Sequence, residues 1–158
     1  MKLKKFRVRN YKSIKDTGDC WLASDLTILA GKNESGKTAI LEALRDFDTS
    51  IESISDSAWP LDDIGRPEVE LCFEISEPIL NEIESALGID LGKTTKDYIR
   101  TNGLSIIKDH EGCYSLSHDI KGMINKEKRE GDQATDNEMV EAEVLKELAD
   151  IFLDELRQ

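Results

Sequence analysis

Residues 31–38 read Gly-Lys-Asn-Glu-Ser-Gly-Lys-Thr, and this G-x-x-x-x-G-K-T spacing constrains the chain more than any other feature. Just upstream, residues 26–30 (Leu-Thr-Ile-Leu-Ala) form a short apolar, β-branched run of buried-strand type. Downstream, the spacing of Ile40, Leu41, Leu44 and Phe47 predicts a helix over residues 38–48 with those four as its buried stripe. Strand, glycine-rich turn and helix in that order make a phosphate cradle. Gly31 and Gly36 let the backbone turn successive N–H groups inward, and the new helix adds its unpaired first amides and positive dipole end. Lys37 is placed to reach β- and γ-phosphate oxygens, and the Thr38 hydroxyl to enter the shell of a Mg²⁺ ion bridging them. A glycine-rich turn without a ligand is the alternative, and the flanks argue against it.

The chain has 158 residues, 39% hydrophobic and 34% charged, which suits one domain with a real core. No apolar stretch approaches the length of a membrane span. The N-terminus alternates basic and apolar residues instead of leading into a signal-type apolar core, so a cytoplasmic protein is expected. Cys20, Cys72 and Cys113 are odd in number and widely spaced, with no C-x-x-C pair, which argues against a disulfide framework or a zinc knuckle. His110, Cys113 and His118 lie close in sequence but fall across a hairpin whose turn is Asp109-His-Glu-Gly, a poor frame for a metal.

Charge is unevenly spread. Residues 1–15 hold seven basic side chains and no acid, so the other 143 residues must carry −19 for the chain to reach its net −12. Alternation in the first strand puts Phe6 and Val8 on one face and Lys5, Arg7 and Arg9 on the other. That basic face is either a contact for nucleic-acid phosphates or a solvated strand face whose charges resist edge pairing.

Strands are expected over residues 3–11, 20–23 and 68–75, with a turn over 13–18 and a long loop, pinned by Trp59, over 49–67. Val69, Leu71, Phe73 and Ile75 alternate with Glu68, Glu70, Cys72 and Glu74, which predicts a strand half buried and half wet in an antiparallel setting. Ser76, Pro78 and Gly88 mark the start and stop of a helix through Ile79, Leu80, Ile83 and Leu87. Residues 103–108 and 113–117 read as a hairpin, 121–137 as a charged linker, and 139–156 as a long acidic amphipathic helix preceded by Thr135 and Glu138 at capping-box spacing.

Together, the run from Phe6 through Asn10, Tyr11, Lys12 and Ser13 to Ile14, the 26–30 run and the loop through Leu44 resemble the N-terminal lobe of SMC/RecF-type ABC ATPases. The wording Asn-Glu-Ser-Gly-Lys-Thr resembles most the OLD-family ATPases and ATP-dependent endonucleases. The resemblance covers about the first 50 residues. It implies an α/β (α+β) P-loop NTPase lobe of ABC type, a mixed sheet with an antiparallel part around the P-loop helix. The lobe would span residues 1–120, the linker 121–137, and the start of a helical arm or a packed C-terminal helix 138–158.

It further implies an ATP site in which Asn33, Glu34, Ser35, Gly36, Lys37, Thr38 and Ala39 hold phosphates and Mg²⁺. Lys12 and Ser13 would lie beside the nucleotide, although Lys12 reads equally well as one more exposed lysine. A homodimer through the nucleotide site, with DNA as the substrate of the complete protein, is implied as well. The departures matter equally. Neither a strand of four apolar residues ending in Asp-Glu nor a Ser-Gly-Gly signature loop is present, and Ile151-Phe-Leu-Asp-Glu155 continues the stripe of Val140, Val144 and Leu148. ATP hydrolysis would therefore need parts supplied from elsewhere in a longer protein. Two other readings are a nucleotide-binding dimerisation or regulatory module without turnover, and a small P-loop kinase. The kinase is disfavoured because Arg66 and Arg100 are the only mid-chain arginines of note and neither sits in an arginine-rich lid.

Overall fold

The computed structural model describes residues 2–32, 36–62, 65–128 and 138–157. Its centre is one antiparallel sheet. Strand β1 (Lys2–Tyr11) pairs with β4 (Glu68–Glu74) on one side, and on the other with the short β2 (Ile14–Asp16) and β3 (Cys20–Trp21). Strands β5 (Leu104–Lys108) and β6 (Tyr114–Leu116) extend the sheet beyond β4. Among the described residues five α-helices accompany it: α1 (Lys37–Asp46), α2 (Glu77–Leu87), α3 (Lys93–Asn102), α4 (His118–Lys128) and α5 (Glu138–Arg157).

The period-2 pattern selects the core face. Phe6 and Val8 stand opposite Leu71 and Val69 in the β1–β4 register, and all four are buried. Ala39, Ala43 and Phe47 of α1 join this cluster, as do Leu145, Leu148, Ala149 and Phe152 of α5. Phe152 meets Phe73 with ring centroids 5.1 Å apart. Helix α5 is thus part of the lobe's core. In α1 the buried positions are Ala39, Ala43 and Asp46 with Phe47 following. The expected stripe is shifted, with Ile40 and Leu44 half-buried and Leu41 exposed.

Helix α2 carries its predicted punctuation: Ser76 in extended backbone at the N-cap, Pro78 in the first turn and Gly88 left-handed at φ 61°. The hairpin of β5 and β6 is also where alternation placed it. The Asp109 carboxylate accepts the N–H groups of Glu111 and Cys113 at 2.9 Å each and so closes the turn. Gly112 takes φ 87° there, and a Cβ at that position would meet the Glu52 carbonyl oxygen at 1.6 Å.

Four expectations fail, each for a tertiary reason. Residues 26–30 form no strand. Leu26 is 71% and Ile28 75% exposed, because β1 already has β4 on one side and β2 and β3 on the other. Every strand pairing among the described residues is accordingly antiparallel. Residues 14–16 pair as β2 where a turn was expected. Strand β4 is not half wet: Glu70 and Cys72 are buried, since Arg9 pairs with Glu70 and the Cys72 thiol donates to the Asn102 carbonyl at 3.2 Å. Finally, α4 occupies most of what was read as the start of a linker. It lies against α3, a helix the apolar spacing does not announce, and its Glu127 carboxylate caps α3 by accepting the Thr94 N–H at 2.9 Å and the Thr95 hydroxyl. The rest of the expected linker, residues 129–137, lies outside the described residues, and so do Thr135 and its capping box.

Candidate functional site

The phosphate-cradle motif opens directly into α1, and Gly36 is its hinge. Gly36 sits at the N-cap with φ 91°, a left-handed value that L side chains resist. Its neighbour is Ile14 of β2, whose Cγ1 lies 3.6 Å from where a Cβ would stand. Gly31 adopts no such angle. No acid occupies the first turn of α1, while Arg45 sits in the last, so within the helix itself nothing offsets the positive amino end. The Lys37 ammonium donates to the Gly31 carbonyl, closing the loop on itself. Thr38 is exposed at the helix start and Ala39 is buried beneath it. Asn33, Glu34 and Ser35 lie outside the described residues.

Lys12 lies nearby, held in an unusual backbone. Asn10 and Lys12 have φ of 51° and 53°, left-handed values that cost non-glycine residues on the order of 1 kcal/mol each. The Lys12 N–H donates to the Ala58 carbonyl at 2.6 Å, and its ammonium pairs with the Glu42 carboxylate on α1. Lys12, Ser13 and Ile14 form one wall of a groove of about 490 Å³, and Trp59, Pro60 and Leu61 form the other. Loop 49–67 is pinned by the buried Ile54 and Ala58 and by Trp59, whose ring meets His110 edge-on at 5.4 Å. The second wall, from Trp59 to Leu61, carried no ligand-binding motif. Only its position in space brings it to the site.

The basic face of β1 is not free. Lys5 pairs with Asp19 at 2.7 Å, Arg7 with Asp16 at 2.6 Å, and Arg9 with Glu68 at 2.7 Å and Glu70 at 3.1 Å. The Arg7 guanidinium pulls the Asp16 carboxyl down to about 2. Acids on β2 and β4, together with Asp19 just before β3, thus pair with the basic side chains of this face. The Asp109, Glu111 and Cys113 ligand atoms lie within 4.8 Å of one another, but the Asp109 carboxylate is already spent on its turn. His118 stands at the start of α4, and the trio of His110, Cys113 and His118 is not assembled as a metal-ligand group among the described residues.

A glycine-hinged loop at the open amino end of a helix, with a lysine in that helix's first turn, defines the class of P-loop nucleotide-binding proteins. Within it, the chain belongs to the AAA ATPase domain family, whose family model matches residues 1–155. It is therefore an ATP-binding ATPase module. Among solved structures, one chain comes from work on the structural biochemistry of ATP-driven dimerization and DNA-stimulated activation of SMC ATPases. It is similar with a TM-score of 0.43 and 17% identity, over 79% of this chain and 76% of that one. No curated protein matches. No helix among the described residues is long and apolar enough to cross a membrane.

Proposed function

We propose that this chain binds ATP with Mg²⁺ through residues 31–38 and forms the N-terminal part of an ATPase that acts on DNA in repair or phage defence, closest to the OLD family. The observation that carries the nucleotide site is the left-handed Gly36 leading into an α1 with no acid in its first turn and Lys37 at its start. On phosphate binding, the Lys37 ammonium exchanges the Gly31 carbonyl for β- and γ-phosphate oxygens. The exposed Thr38 hydroxyl fits a Mg²⁺ ion, which would neutralise charge on those oxygens. Gly31, Gly36 and Ala39 supply backbone to the cradle, and Asn33, Glu34 and Ser35 complete it.

The groove between Ile14 and Trp59 suits the nucleoside end. It begins at Ile14, the neighbour of Gly36, and offers apolar faces beside Lys12 and Ser13. Hydrolysis needs an oriented water and a second carboxylate, and these belong to a further, C-terminal part, as does any nuclease centre. The exposed, unpaired run at 26–30 supports that division, because an apolar β-branched segment beside the phosphate loop is suited to pairing with a strand from such a part. Dimerisation through the nucleotide site would belong to the complete protein.

Isothermal titration with ATP tests the reading. Magnesium-dependent binding is expected, and Lys37→Ala is expected to weaken it about 100-fold or more with an unchanged circular dichroism spectrum. Retained binding in that variant would remove the loop from the site. Binding without turnover would favour a module that works only with its complement.

A further inference from the structure

We propose that Glu42 is a positioning residue for the nucleotide, fixing Lys12 at the groove, an inference that rests on the ATP reading above. In a regular strand, Tyr11 and Lys12 would point to opposite faces. The left-handed values at Asn10 and Lys12 break that alternation and turn both side chains onto the same helix. The Tyr11 hydroxyl donates to the Asp46 carboxylate at 2.6 Å in a buried contact, and the Lys12 ammonium pairs with Glu42. Residues 42 and 46 are one helical turn apart on α1, so the last residue of β1 and the one after it are fastened to one face of the helix that follows residues 31–36.

The geometry has a chemical consequence. A lysine side chain has four rotatable bonds, and a half-exposed one has no fixed direction of its own. Here the Lys12 side chain is 38% exposed and Glu42 30%, so the pair is half-buried beside the groove that Lys12 lines, not in bulk solvent or in the core. The deeper Tyr11–Asp46 bond holds the backbone, with Asp46 4% exposed. Glu42 then sets where the ammonium stands relative to α1, and hence relative to a nucleotide held at the helix's amino end.

A double-mutant cycle read by ATP titration on the full chain tests this. Lys12→Met is expected to weaken ATP binding about tenfold and Glu42→Ala about fivefold, each without a change in circular dichroism. The double variant is expected to match Lys12→Met alone, because Glu42 acts only through Lys12. Should the alanine variant fail to fold, Glu42→Gln keeps the shape of the side chain without its charge and is expected to weaken binding in the same sense. Unchanged or tighter binding on loss of the carboxylate, or two losses that multiply in the double variant, would overturn the proposal while leaving the ATP site intact. No ATP binding by the unsubstituted chain would overturn both.

Discussion

At the carboxyl end of α1, Tyr114 donates to the Phe47 carbonyl at 2.7 Å, Lys108 donates to the Asp48 carbonyl at 2.8 Å and to that of Ile51, and Arg157 pairs with Asp48. At its amino end, Thr38 is exposed, and among the described residues the Lys37 ammonium bonds the Gly31 carbonyl. The carboxyl end of the helix and the segment after it are thus tied to β5, β6 and α5 by side chains. At the amino end, no side chain among the described residues caps the helix. Helix ends leave backbone groups over by construction, and what differs here is whether the fold supplies partners. A helix anchored at its carboxyl end holds its amino end in a fixed place, which suits an anion site that must not collapse between occupants.

The anchored end should respond to substitution far more than the open end. Phe47 is fully buried and meets Tyr114 edge-on at 5.4 Å, so Phe47→Ala should cost about 3–5 kcal/mol in urea unfolding. A loss below about 1 kcal/mol would mean that this end is not the anchor. Next, Lys108→Met removes the ammonium donor from the Ile51 carbonyl and from the Asp48 carbonyl, which keeps the Ile51 N–H, and should cost about 1–3 kcal/mol at neutral pH.

The same lysine gives the anchor a pH signature. Burial lowers Lys108 from 10.5 to about 8, so between those values the unfolded chain holds the extra proton and stability rises with pH, on the order of 1–2 kcal/mol. Burial raises Tyr11 and Tyr114 above their ordinary 10.0, so above pH 10 the unfolded chain loses protons first and stability falls. Chemical unfolding across pH 7 to 11 should show the rise and the fall, and the Lys108→Met variant should lack the rise. The smallest effect belongs to the open end. Leu41→Ser and Ile28→Ser, at positions 59% and 75% exposed, should each change unfolding free energy by less than about 0.5 kcal/mol. A larger loss would show that this edge is packed in solution.

Where local spacing carried the information, the elements were legible. The phosphate loop and its helix, the alternation of β1 and β4, the stop at Gly88 and the turn at Asp109 all declare themselves within a few residues. Helix α3 was not legible, because its sequence KTTKDYIRTN offers little apolar periodicity and its cap comes from Glu127 on another helix. The partners of the basic face of β1 were not legible for the same reason: they lie on β2, on β4 and just before β3, and nothing in residues 5–9 announces them.

By itself, the sequence determined what depends on short-range geometry: a glycine at the one turn that needs a left-handed angle, a lysine and a threonine one and two residues on, and the faces of the strands. Tertiary structure alone decided which charges are free and which apolar runs are covered. Lys12 and Glu42 stand 30 residues apart, Arg9 and Glu70 61, and whether such partners meet is set by strand order and helix placement. The run at 26–30 shows the converse. Its residues have the composition of a buried strand, but a strand exists only where another backbone stands beside it to complete its hydrogen bonds.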